Sequence, residues 1–261
     1  MAILTKEERL DRIIDMLKRE NGLPIQTIAD HLSVSHMTVR RDLETLVNRE
    51  LVRLIHGGVL LNPEVYAVGR DSTYSLIAAG SVNAQKKRAI GVKAASLIEP
   101  EDTLIIDSGS TTEWIARYLP ETMPLTVLSY ALNVVTETAR RENCRSVFAG
   151  GVLHENLLMF ESPEGLDQIR RFRATKAFVS AAGVSEEFGV TCANAYERET
   201  KRTVMGSAAE RILVVDSTKF GLIRPEYFAG LSEFQAVVTD DGVDTGVRRT
   251  MKKLGIRLVI G

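Results

Sequence analysis

Apolar positions along this chain follow one period in its first sixty residues and another after about residue 83. Leu10, Ile13, Ile14 and Leu17 recur at i, i+3, i+4 and i+7, which predicts one apolar stripe on a helix. Thr5-Lys6-Glu7-Glu8 has the S/T-x-x-E form of a capping box with Thr5 as N-cap, and Asn21-Gly22 marks the end. A second short helix is expected from Pro24, a residue suited to a first turn, with Ile28, Ala29 and Leu32 inward. Ala29 is small enough for another helix to cross closely.

That other helix follows Ser33-Val34-Ser35. With Val39 as reference at about 100° per residue, Leu43, Leu46 and Val47 fall within roughly 80° of it. Ser35, Met37, Thr38, Arg40 and Arg41 are left on the outward face at the amino end. Two helices across a tight turn, the second with such a face, have the layout of a helix-turn-helix whose second helix enters the DNA major groove. Hydroxyls and arginines there bond phosphates or base edges. Ser33 stands in the turn where many such motifs carry glycine for its positive φ. Leu51–Leu61 then holds two short apolar runs around His56-Gly57-Gly58, a hairpin signal that predicts a wing, with Arg53, His56 and Gly57 placed to touch DNA.

Periodicity lapses over 63–83, where Pro63, Gly69, Gly80 and small polar residues collect, so the expected organisation is a winged helix-turn-helix over 1–62, a linker over 63–83 and a second domain over 84–261. In that domain short apolar runs alternate with helical patterns: Thr103–Ile106, Leu125–Leu128, Ser146–Ala149, Ala177–Val179, Ile212–Val215, Ala236–Val238 and Arg257–Ile260. Runs this apolar predict strands covered on both faces, hence an α/β domain with a mainly parallel sheet.

The chain has 261 residues, 44% hydrophobic, with a formal net charge of −1. Disorder is thereby excluded as a global property, and affinity for nucleic acid has to come from a local patch. Residues 1–62 carry as many acids as bases, but the stretch from Ser33 to Arg41 holds two arginines, a histidine and no acid. Cys144 and Cys192 form no C-x-x-C, and with only four histidines in the chain neither a disulfide framework nor a metal site is expected. The start lacks an apolar signal-peptide core and no run approaches a membrane span, which predicts a cytoplasmic protein.

Polar and glycine residues gather where the predicted strands end, the side on which open α/β sheets bind ligands. Asp107-Ser108-Gly109-Ser110-Thr111-Thr112 precedes a helical pattern with Trp114, Ile115 and Leu119. Such a turn either cradles a phosphate, with backbone amides and hydroxyls as donors, or merely caps the helix. Ser129, Gly151 and Lys219 stand at other strand ends. Glu197 and Lys201, four apart, are either an ordinary surface pair or an acid for sugar hydroxyls and a cation for phosphate.

V-S-x-x-T-x-R-R-D-L followed by L-x-R and H-G-G resembles the DeoR family of bacterial transcriptional repressors, and the resemblance continues through Lys86-Lys87-Arg88-Ala89-Ile90, Asp107 to Thr112, Gly150-Gly151, Ala182-Gly183 and Asp216 to Gly221. It implies a sensor domain similar to the ribose-5-phosphate isomerase fold that answers to a phosphorylated sugar. Asp107 to Thr112, Glu197, Lys201 and Lys219 would line the pocket, with Lys86 near the phosphate. Ser129-Tyr130-Ala131-Leu132-Asn133, Ser180 to Val184 and Thr191 to Asn194 are similar to the strand ends of deoxyribonucleoside-operon repressors, which implies deoxyribose-5-phosphate as effector. The reading is therefore a repressor without cofactor that binds double-stranded operator DNA, forms a homo-oligomer and is released by a sugar phosphate. Two alternatives remain: the same kind of regulator answering to a different sugar phosphate, and an aldose–ketose isomerase. The isomerases carry D-G-A-D at a strand end where this chain has Ser180-Ala181-Ala182-Gly183, so both acids are missing.

Overall fold

The computed structural model describes residues 5–20, 23–49, 51–55, 58–61, 76 and 83–261. The chain divides into two compact units, residues 1–75 and 76–261.

In the first unit, helix α1 (Lys6–Glu20) opens on the expected capping box: Thr5 donates its amide to Glu8 Oε2 at 2.8 Å, and the Glu8 amide returns a bond to Thr5 Oγ1. Strand β1 (Leu23–Pro24) leads into α2 (Ile25–Leu32), then α3 (His36–Asn48), β2 (Val52–Ile55) and β3 (Gly58–Leu61). Pro24 stands one position before α2 rather than in its first turn, because its extended backbone pairs with Gly58 as part of a three-stranded sheet in the order β1-β3-β2. The predicted stripes of α1, α2 and α3 meet in one core, Leu10, Ile13, Leu17, Ile28, Ala29, Val39, Leu43 and Leu46, which Val52 and Val59 of the hairpin complete. Ser33 ends α2 in the left-handed region, φ 53° and ψ 44°, and its amide and that of Val34 satisfy the free carbonyls of Asp30 and Ala29.

The second unit is built on a seven-stranded parallel sheet. Its strands are β4 (Thr103–Ile106), β5 (Leu125–Ser129), β6 (Cys144–Phe148), β9 (Ala174–Val179), β12 (Ala208–Val214), β14 (Ala236–Thr239) and β15 (Arg257–Ile260). They lie in the order β15-β14-β12-β9-β4-β5-β6. All seven coincide with the apolar runs, though β9 and β12 begin three and four residues earlier than their runs. The first half of β12, Ala208-Ala209-Glu210-Arg211, is partly exposed and ends in two adjacent charges, so no apolar run marks it. Two small antiparallel sheets accompany it: β7 (Val152–His154) with β8 (Met159–Glu161), and β10 (Gly183–Ser185), β11 (Gly189–Cys192) and β13 (Glu226–Ala229).

Helices α4 (Ala84–Ala95), α5 (Thr112–Arg117), α6 (Leu132–Thr138), α7 (Pro163–Arg171), α8 (Ala195–Gly206) and α9 (Thr245–Leu254) join the strands. Ile90, Ala94, Ile115 and Val134 from three of them close one core over Leu104, Ile106, Phe178, Ile212 and Val238. At Gly91 of α4 a Cβ would come 2.2 Å from the Trp114 Cβ, so glycine is what lets α4 and α5 touch. Chain order runs outward from β4 through β5 to β6, then returns to the other flank of β4 at β9. The direction of winding thus reverses between β4 and β9, and open α/β sheets bind ligands outside the carboxyl ends of such a strand pair.

Candidate functional site

Asp107, the first residue beyond β4, is fully buried at this reversal. Its Oδ2 accepts the Ser180 amide at 2.8 Å and the Ser180 hydroxyl at 3.0 Å, both from the end of β9, and Lys201 Nζ of α8 at 2.5 Å. Its Oδ1 accepts the buried Tyr130 hydroxyl from the end of β5. Three elements therefore converge on the carboxylate that a fourth, β4, presents. Gly109 makes the approach possible, since a Cβ there would lie 2.9 Å from the Ser180 Cβ.

Lys201 and Glu197 are not a surface pair. Both are buried, 3.9 Å apart, and the closer partner of Lys201 is Asp107, 94 residues away in sequence. Glu197 Oε1 accepts the amides of Ala193 and Asn194 and the Asn194 side chain, completing a capping box on α8. Burial lifts the Glu197 carboxyl above its ordinary range, against the pull of Lys201. Burial works to discharge Lys201, but Asp107 and Glu197 outweigh it and keep the ammonium charged. Burial also drives the Tyr130 phenol far up, reinforced by Asp107, so it remains a donor. Such a carboxylate, with donors on both oxygens, is an anchor for its neighbours rather than a free base.

The turn after Asp107 is closed from within. Thr112 Oγ1 donates to the carbonyls of Asp107 and Gly109 at 2.7 and 3.1 Å, while among the described residues no hydrogen bond engages the Ser110 or Thr111 hydroxyl. Ser108 Oγ faces Asp107 Oδ1 at 3.5 Å and Met159 Sδ of β8 at 4.0 Å. Ser129 is buried and turned into the sheet, its hydroxyl donating to Ile106 and accepting the Ala131 amide. Gly151 lies exposed between β6 and β7 with its backbone against the Glu161 carbonyl.

Lys86 and Lys219 belong to a second group, at the ends of β12 and β14. Lys86 Nζ meets Asp240 at 2.8 Å and donates to Ser217 at 3.1 Å. Lys219 closes a 3-10 turn (Ser217–Lys219) capped by Asp216. Burial lowers its ammonium, Asp216 raises it, and Arg224 lowers it further. Lys87, which the sequence reading passed over, is buried beside them; burial, and the positive charge of Lys219, bring it down to about 8 despite Asp216. Tyr130, Ser180 and Lys87 are thus the residues missed, each adjacent in sequence to a named one or at a named strand end.

On the first unit, Met37, Arg40 and Arg41 are exposed along one face of α3 and Thr38 is half-buried. Ser35 is spent locally: its hydroxyl accepts the Thr38 amide at 3.2 Å and lies 2.9 Å from Thr38 Oγ1. Arg53 sits in β2 opposite Leu60, while His56 and Gly57 lie outside the described residues. The expected 63–83 linker does so too, except for Leu76 and Asn83.

Residues 82–241 match the DeoR C-terminal sensor domain, and residues 9–65 match the DeoR-like helix-turn-helix domain. The chain belongs to the DeoR family. It is a transcription regulator with a DNA-binding helix-turn-helix. The deoxyribose operon repressor of Escherichia coli K12 is 35% identical to this DeoR-family protein over 235 residues, 90% of either chain. Among solved structures, eIF2B beta from Chaetomium thermophilum overlays 99% of this chain and 96% of its own with a TM-score of 0.50 and 15% identity, a likeness of fold alone. Ribose 5-phosphate isomerase A from Methanocaldococcus jannaschii overlays 53% of this chain and 55% of its own, with a TM-score of 0.40 and 17% identity. No helix among the described residues is long and apolar enough to cross a membrane.

Proposed function

We propose that this DeoR-family protein represses a sugar or deoxynucleoside catabolic operon, binding operator DNA through α3 and the wing and releasing it when a phosphorylated sugar, deoxyribose-5-phosphate first, enters the second unit. The observation that carries the reading is the convergence of Asp107, Ser180, Glu197 and Lys201 on the carboxyl side of β4 and β9, where the winding reverses. Acids and hydroxyls there suit sugar hydroxyls. The buried lysines along the same edge suit a phosphate, with Ser108, Gly109, Ser110 and Thr111 as the approach.

The 35% identity to a named deoxyribose operon repressor supports that effector above other sugar phosphates. The protein acts as a regulator rather than an isomerase: Ser180-Ala181-Ala182-Gly183 offers no carboxylate, and one Glu197 oxygen is occupied by helix capping. It works in the cytoplasm as a homo-oligomer on two-fold operators, with half-sites spaced by whole helical turns.

Fluorescence anisotropy on the DNA upstream of its own gene tests this. Binding released by deoxyribose-5-phosphate is the expected outcome. Release only by a different sugar phosphate would replace the effector, and turnover of a pentose phosphate to its ketose would restore the enzyme reading.

A further inference from the structure

The β7–β8 hairpin sits against the candidate pocket on one side and against the start of the second unit on the other. Met159 of β8 is fully buried and bridges to Ala131, and the Phe160 amide donates to the Tyr130 carbonyl. The hairpin is therefore fastened to the strand end that supplies a hydroxyl to Asp107. Its tip is fastened to α8: the His154 ring stacks on Tyr196 at 3.7 Å and 4°, and the Tyr196 hydroxyl donates to Asn156 Oδ1 at 2.9 Å. Tyr196 immediately precedes Glu197 and lies on the helix that carries Lys201. The same Asn156 accepts, through its backbone carbonyl at 2.7 Å, the amide of Leu76. Leu76 is the first residue of the second unit, the point at which the chain arrives from the DNA-binding unit.

One residue thus bonds the pocket helix and the entry of the second unit. We infer that this hairpin, through Asn156, is the element that couples occupation of the sugar-phosphate pocket to the DNA-binding unit; the inference rests on the function proposed above. A ligand changes operator affinity only through a part that differs between its two states. A ligand contacting Glu197 or Lys201 that displaces α8 moves Tyr196 with it. Leu158, beside the tip, stands in the left-handed region at φ 50°, a conformation that its surroundings must hold. A displacement of Tyr196 either keeps the Tyr196–Asn156–Leu76 chain of bonds or breaks it. A chain of bonds with two discrete arrangements is what transmits a small shift at a site.

Tyr196→Phe keeps the ring on His154 and deletes the hydroxyl, while Asn156→Ala cuts the same bond from the other side. In full-length protein we would measure sugar-phosphate affinity by calorimetry and operator affinity by anisotropy, with and without deoxyribose-5-phosphate. A wild-type coupling factor of about 5–150-fold should collapse toward one in both variants, with sugar affinity retained. The double variant should be no worse than either single. Undiminished coupling in the singles overturns the proposal. If wild-type protein ignores deoxyribose-5-phosphate, that effector falls instead, and hydrogen exchange at Leu76 decides about the hairpin. Faster exchange in both variants supports the link, and unchanged exchange removes it.

Discussion

Arg9 of α1 holds Asp42 of α3 in a two-point grip, Nε to Oδ2 at 2.7 Å and Nη2 to Oδ1 at 3.1 Å, on a carboxylate only 1% exposed. This contact sets the helix bearing Met37, Arg40 and Arg41 against the helix at the start of the unit. Removing one partner of a buried pair costs about 3–5 kcal/mol, and the Arg9 side chain keeps 16% of its surface in solvent, which reduces the expectation to about 2–3 kcal/mol. Asp42→Ala should lose that much in urea denaturation of the first unit, with operator binding failing as α3 shifts. A loss below about 0.5 kcal/mol would reduce the pair to the standing of a surface ion pair.

The turn between α2 and α3 holds a serine in a glycine's conformation, φ 53°. A non-glycine residue there costs of order 1 kcal/mol, of which glycine returns part as backbone entropy in the unfolded chain. Ser33→Gly should therefore stabilise the first unit by about 0.5 kcal/mol, seen as a higher denaturant midpoint with unchanged slope. Operator affinity should not move, because the exposed face of α3 is untouched.

Asp102 and Asp240 give the second unit an acid limb. Burial pushes both carboxyls up from the ordinary 3.8, but Lys176 with Thr175, and Lys86 with Ser217, hold them below it. Each then binds fewer protons folded than unfolded, so their stabilisation is complete above about pH 5 and is lost as pH falls through the ordinary and then the lowered folded values. Denaturation midpoints at pH 3, 4, 5 and 7 should fall only at the acid end, and Asp240→Asn should shallow that fall. An equally steep acid limb in the variant would assign it elsewhere.

Burial pushes the Cys192 thiol up to about 12, with Glu197 adding to the effect, while half-buried Cys144 rises less. Reactivity follows the thiolate. At pH 8 folded protein should leave Cys192 unlabelled by iodoacetamide, and urea should open both cysteines, as peptide mass mapping would report. Rapid native labelling of Cys192 would contradict the packing of β11 on α8.

The inner parallel strands were legible because both of their faces are covered, which leaves nearly uninterrupted apolar runs at their carboxyl ends, while the edge strands β6 and β15 keep apolar runs although they are only partly buried. The antiparallel pieces were not. Strands β7 and β8 have three residues each, with Val152 exposed, too short for a period to register. Asp42 was readable and overlooked: it falls on the apolar arc of α3, and an acid there calls for a buried partner. Lys86 rests on the family resemblance, whereas the phase of α4 points to its neighbour: Lys87, Ile90, Gly91, Ala94 and Ala95 recur at i, i+3, i+4, i+7 and i+8 on one buried arc, and a one-residue step rotates a side chain by about 100° off it. Asp107 and Lys201 were each named, but nothing local tells two residues 94 apart that they are partners.

Arg40 and Arg41 are both exposed on α3, yet they need not do the same work. A side chain that reads a base edge affects one sequence position, whereas one that holds a phosphate affects all DNA alike. Ser35 caps the helix through Thr38, which orients its first turn and leaves Met37 and the arginines as the outward groups. Arg41→Ala should cost about 1–3 kcal/mol on the operator and relax preference at one base pair, if that residue is the reader. Arg40→Ala, flanking it, should weaken every sequence about equally and lower the salt slope by about one. Anisotropy titrations of operator and scrambled DNA at two salt concentrations separate the two behaviours. Equal losses on both DNAs for both variants would make α3 a phosphate-binding helix and transfer base reading to another part of the unit.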